Sequence, residues 1–140
     1  MLKPKQFLLV GIVAALGATM GIAYATASVL AQAAAVQVTI VPGASTMMGA
    51  AGAKAFSPNP VSVKVGQTVT WTNKDTVLPG HTVVSGTGGS DPNKGKVFDS
   101  GLTTLILTGK SFSHKFTTAG EVPYFCQIHP NMVGKIEVTA

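Results

Sequence analysis

From Val36 to Val138 the chain repeatedly alternates apolar and polar residues with a period of two, and turn residues break each run after a few positions. Val36, Val38 and Ile40 alternate with Gln37 and Thr39, and Pro42-Gly43 ends the run. Val61, Val63 and Val65 follow Ser57-Pro58-Asn59-Pro60 and stop at Gly66-Gln67. Val69 and Trp71 share one face of Thr68–Thr72, with three threonines on the other. His81–Ser85 is short and β-branched, Phe112, His114 and Phe116 alternate with Ser113 and Lys115, and Val122, Tyr124 and Cys126 alternate with Pro123 and Phe125. Ile136 and Val138 form a last run, and Thr103–Thr108 reads as a further strand or a packed loop. Successive side chains of a strand point to opposite faces, so this pattern places every second residue in a core. Seven or eight short strands with no helical period predict an all-β fold, an antiparallel Greek-key sandwich or barrel. Residues 34–55 read as the first strand and a loose Gly/Ala-rich loop, residues 56–140 as the body of the domain, and 34–140 as one folded unit.

The start of the chain is of another kind. Lys3-Pro4-Lys5 is a short positive patch, and no charge follows from Phe7 to Ala31. A basic start, an apolar stretch and a small-residue cleavage site make a secretory signal; Ala31-Gln32-Ala33 supplies such a site before Ala34, and Ala23-Tyr24-Ala25 and Ala25-Thr26-Ala27 also fit. An apolar helix of about 20 residues also spans a bilayer. Residues 1–33 are therefore expected to form an N-terminal hydrophobic helix, either a cleaved leader or a membrane anchor through residues 7–31. Both readings put the remainder outside the cytoplasm, periplasmic or at the cell surface. All ten basic residues are lysines, so a chain starting at Ala34 keeps eight lysines against five acids, a net charge of +3. With no lysine run and no basic–aromatic stripe, nucleic-acid binding is not expected.

Cys126 is the single cysteine, so no internal disulfide can form. An exposed free thiol outside the cytoplasm would be open to oxidation, which leaves burial or a metal to protect it. Cys126-Gln-Ile-His129-Pro-Asn-Met132 places a thiolate, an imidazole and a thioether in one tight stretch between two strands. His81, at the start of an earlier strand, is the candidate for a second imidazole. Two imidazoles, one thiolate and a weak axial methionine form the ligand set of electron-transfer copper sites. Zinc more often takes four strong donors, and iron–sulfur clusters need several cysteines.

These residues carry a resemblance. Phe56-Ser-Pro-Asn-Pro, Val61-Ser-Val-Lys-Val-Gly66, Val69-Thr-Trp71-Thr-Asn73-Lys-Asp75, His81-Thr-Val, Phe98-Asp-Ser-Gly101, Phe112-Ser-His-Lys-Phe116, Gly120 and Tyr124-Phe-Cys126 resemble the cupredoxins, small blue copper proteins of the plastocyanin and amicyanin type. The short spacing from Cys126 to Met132 is similar to amicyanin. The resemblance implies one type 1 copper ion with His81, Cys126 and His129 in a trigonal plane and Met132 axial. It also implies an apolar patch near the His129 ring where redox proteins dock, with Pro79, Ile128, Pro130 and Asn131 on its rim. Several relatives carry Asn after the first ligand histidine, where this chain has Thr82, whose hydroxyl can still bond across neighbouring loops.

The expected function is a one-electron carrier cycling Cu(II)/Cu(I), a monomer that transforms no substrate. The alternative is an extracytoplasmic copper carrier or storage protein. Multicopper enzymes need more histidines, often in His-x-His pairs, and this chain has three histidines with no such pair. His114 shares parity with Phe112 and Phe116 and reads as a partly buried core histidine. Met47-Met48 is weak support for a second copper site.

Overall fold

The computed structural model describes residues 33–140. The N-terminal hydrophobic helix expected over residues 7–31 lies outside the described residues. Ten strands follow in chain order: β1 Val36–Ile40, β2 Phe56–Ser57, β3 Val61–Lys64, β4 Thr68–Asn73, β5 Gly80–His81, β6 Val84–Ser85, β7 Ile106–Leu107, β8 Ser111–Lys115, β9 Gly120–Phe125 and β10 Val133–Thr139. They form two four-stranded sheets, ordered β2-β1-β4-β8 and β3-β10-β9-β6, and a small β5-β7 pair.

The alternating residues meet between the sheets. Val38, Ile40, Val69 and Trp71 from one sheet and Val61, Val63, Tyr124, Ile136 and Val138 from the other belong to one buried cluster. Trp71 lies at its centre, with ring centroids 5.0 Å from Phe98 and 5.5 Å from Tyr124. Each large apolar side chain withdrawn from water in this way contributes roughly 1.5–3 kcal/mol. Gly134 pairs directly with Tyr124 across β10 and β9, and a Cβ there would overlap the tyrosine ring. Only glycine admits the ring at that position.

The all-β expectation holds, but the sheets are not purely antiparallel. β1 pairs with β4 in parallel, and β3 pairs with β10 in parallel. Alternation reports which face a residue occupies and carries no information about strand direction. Parallel neighbours need a long crossover, and the chain between β1 and β4 provides one by placing β3 in the opposite sheet. The expected strand from His81 to Ser85 is divided between β5 and β6, which lie in different sheets. Val65 falls just after β3 and is 43% exposed, because Gly66, at φ +92°, turns the chain there. The Gly/Ala-rich stretch is not loose: Ala44–Thr46 and Gly49–Lys54 are 3₁₀ helices, with Ala44 and Gly52 buried. Thr103–Thr108 yields β7 at its end.

Candidate metal centre

Asn73 ends β4 and shapes the loop that delivers His81. Its side-chain amide donates to the carbonyls of Pro79 (3.1 Å) and Ile106 (2.8 Å), while its side-chain oxygen accepts the Asp75 amide at 2.8 Å. These bonds fold residues 73–81 back on themselves and set β5 against β7, with Gly80 opposite Leu107 and His81 opposite Ile106. Gly80 has Leu105 packed where a Cβ would stand, so a larger residue would displace His81 or the leucine. His81 emerges fully buried.

Cys126 follows directly after β9. Its amide donates to the Met132 carbonyl at 3.0 Å, and the Met132 amide donates to the His129 carbonyl at 2.9 Å. These two bonds close the seven-residue loop. Cys126 and Met132 are fully buried at its ends, and His129 is half-buried between them. Thr82 joins this loop to the His81 strand. The Thr82 hydroxyl accepts the Gln127 amide at 2.8 Å, and the Thr82 amide donates to Cys126 Sγ at 3.4 Å. The bond across neighbouring loops expected of this threonine is therefore present.

Three donor atoms converge as a result. Cys126 Sγ lies 3.8 Å from His81 Nδ1 and 3.7 Å from His129 Nδ1, and the two imidazole nitrogens are 3.2 Å apart. A metal at about 2.0–2.3 Å from nitrogen and sulfur donors needs donors spaced by about 3.3–3.9 Å around it, which this triangle approaches. The proton positions point the same way. His81 Nε2 lies 3.0 Å from Asp75 Oδ2, and a carboxylate only accepts. The ring proton therefore sits on Nε2, and Nδ1 presents its lone pair to the triangle. Burial opposes ionisation of Asp75, but hydrogen bonds from Ser45, Val77 and His81 outweigh it and hold its carboxyl well below the ordinary value. Burial also pushes the His81 imidazole below its ordinary value, against the pull of Asp75. A buried, neutral imidazole beside a thiol and a second imidazole is a soft donor set that fits a type 1 copper ion.

The structure thus brings His81, Cys126 and His129 together and buries Met132 in the same loop. The other candidates separate from them. His114 is half-buried on β8, opposite Val69, with its ring 5.4 Å from Phe98 and 5.0 Å from Phe116, as parity implies. Met47 packs partly buried against the core, whereas Met48 is 70% exposed and accepts a bond from the Asn131 side chain. The two adjacent methionines thus sit in different environments. Asp75 is the residue that sequence reasoning missed, since its only signal there was membership of the Asn73-Lys-Asp75 motif.

Relatives of the chain agree with this centre. A family model for copper-binding proteins of the plastocyanin/azurin family matches residues 43–139. Chloroplastic plastocyanin from Tetradesmus obliquus is 38% identical over 68% of this chain and 66% of its own length, just under two thirds of that protein. Amicyanin-alpha from Methylorubrum extorquens is 32% identical over 83% of this chain and 90% of that one. Among solved structures, a purple cupredoxin from Nitrosopumilus maritimus superimposes with a TM-score of 0.60 at 34% identity, covering 74% of this chain and 99% of that one. The chain is a cupredoxin and belongs to the plastocyanin/azurin family of copper-binding proteins.

Proposed function

We propose that the protein is a one-electron carrier in which His81, Cys126, His129 and Met132 would hold a single copper ion. The observation that carries this reading is the convergence of Sγ and two Nδ1 atoms within 3.2–3.8 Å in a site whose loops are already closed by hydrogen bonds. Copper bound there supplies the Cu(II)/Cu(I) couple. The protein's own residues supply rigidity. His81 is held by Asp75, the thiolate by Thr82 and the ligand loop by its internal amides. Donors that need not move between two oxidation states keep the reorganisation small, which suits electron transfer rather than substrate chemistry.

The half-buried His129 ring is the natural exit for the electron. Ile128, Pro130, Asn131 and Pro79 are exposed, as are Val77 and Leu78 in the loop that precedes His81. An apolar rim around a half-buried ligand fits brief docking by a redox protein. The uncharged stretch from Phe7 to Ala31 supports action outside the cytoplasmic membrane, with residues 1–33 as leader or anchor and 34–140 as a monomeric working domain.

The test is visible absorption and electron paramagnetic resonance of the copper-loaded protein. An intense thiolate-to-copper band is expected, and Cys126→Ser should abolish it together with reversible one-electron redox activity. A colourless protein with ordinary square-planar copper signals would reject the reading. Rapid loss of copper to a mild chelator would favour a carrier or storage role.

A further inference from the structure

Asp75 is fully buried, and backbone amides converge on its two carboxylate oxygens. Oδ1 accepts the amides of Gly43 (3.1 Å) and Val77 (2.9 Å). Oδ2 accepts the amide of Ser45 (2.9 Å) and faces His81 Nε2 at 3.0 Å. Three backbone N–H groups therefore donate to one carboxylate, and the His81 ring nitrogen faces it as a fourth partner. Amide donors stabilise the charged form over the neutral acid, so the ionised form is the one this pocket is built to hold, and an ionised carboxylate can only accept from His81.

We propose that Asp75 is a positioning residue for the metal centre, which holds His81 with its proton on Nε2 and biases the centre towards Cu(II). This inference rests on the reading of His81 as a copper ligand. Two physical effects support it. A carboxylate behind a ligating imidazole fixes the tautomer and raises the basicity of the opposite nitrogen. A buried negative charge stabilises a dication more than a monocation, and it does so more strongly in a low-dielectric interior than in water. Both effects favour the oxidised state. Because Gly43 and Ser45 share the same carboxylate, the 3₁₀ segment that begins at Ala44 is coupled to the ligand. The strength of the hold on His81 thus depends on the seating of a segment far away in sequence.

The decisive experiment compares the midpoint potential of the copper-loaded protein with that of Asp75→Asn. The amide is nearly isosteric and removes the charge. The expected result is a rise of at least about 60 mV, a tenfold shift of the one-electron equilibrium towards Cu(I), with the thiolate-to-copper band retained. A potential unchanged within error overturns the proposal. Nitrogen-15 NMR of the wild-type Cu(I) protein gives a second reading that needs no variant. His81 should show a slowly exchanging Nε2 proton and an unprotonated Nδ1, and a rapidly exchanging or missing Nε2 proton overturns the proposal equally. Absence of the charge-transfer band in wild-type protein would instead reject copper ligation, and this inference with it.

Discussion

Two turn-rich segments of this protein look alike in composition and differ in what holds them. The insertion from Gly86 to Gly95 is pinned at its two ends by amides to the Pro123 and Ser85 carbonyls, and its interior is organised by one residue of its own. Asp91 accepts the Thr87 amide (2.8 Å), the Thr87 hydroxyl (3.1 Å) and the Asn93 amide (2.8 Å), all within four positions. The ligand loop from Cys126 to Met132 closes on itself through two amides, but it is also clamped from outside. Thr82 holds Gln127 from 45 positions away. The Gly49–Lys54 helix presses buried Gly52 against Asn131 so closely that a Cβ at Gly52 would overlap the Asn131 carbonyl. A loop that only reverses the chain can be shaped by local bonds. A loop that aims metal ligands must have its position set relative to a third body, because a shift of tenths of an ångström separates a closed donor triangle from an open one.

Substitutions can break this contrast at graded strength. Gly52→Ala is expected to have the largest effect, because the added methyl meets backbone that cannot rotate away. A loss of about 1–3 kcal/mol, at the upper end of that range, is expected from the overpacking, together with a shifted or weakened copper band. Chemical denaturation and absorption spectra on one sample would check both. An unperturbed band in a destabilised Gly52→Ala protein would show that the 3₁₀ segment supports the fold without steering the ligands.

Thr82→Val keeps the backbone amide that faces Cys126 Sγ and removes the hydroxyl, which accepts the Gln127 amide and also faces Sγ more distantly at 3.8 Å. Leaving that partly buried amide without a partner should cost roughly 1 kcal/mol, the lower end of the range for an unsatisfied donor. The charge-transfer band should persist. Urea unfolding of the copper-free and copper-loaded forms measures the loss, and complete loss of colour would mean that the hydroxyl does more than tie two loops together.

Asp91→Ala should have the smallest effect and leave the copper signals unchanged. Hydrogen bonds from Thr87 and Asn93 hold the Asp91 carboxyl below its ordinary value of 3.8. A carboxylate with a depressed native value adds stability that is present above pH 3.8 and is lost as pH falls through the native value. The wild-type protein should therefore lose this contribution in acid, whereas Asp91→Ala should lack it at neutral pH and show a shallower decline. Thermal melts from pH 6 to pH 2 would reveal the difference. A change in the spectrum of Asp91→Ala would refute the separation of the insertion from the metal centre.

The legibility of the candidate site in the sequence divides along the same line. Cys126, His129 and Met132 could be read together because they share one loop, and short spacing limits how far apart their side chains can lie. His81 could be read through its place at the start of a β-branched run and through the family resemblance. Asp75 could not, since an acid six positions before a histidine is ordinary on a protein surface. Only the burial of both groups, with Gly43 and Ser45 folded over them, makes the pair consequential. The Gly/Ala-rich stretch read as loose for a related reason. Its 3₁₀ turns close through their own short-range bonds, but Asp75 and the ligand loop are what seat them on the domain.

By itself, the sequence determined the all-β character, the face that each strand residue presents and the chemistry of the donor set. These properties depend on neighbours within a few positions, where the two-residue period and the spacing of soft ligands act directly. Tertiary structure alone decided the parallel pairing of β1 with β4 and of β3 with β10, the division of His81–Ser85 between two sheets and the burial of Asp75 behind His81. Each of these depends on which distant segments come to lie side by side. That choice is made by the packing of the whole core around Trp71, and no local pattern encodes it.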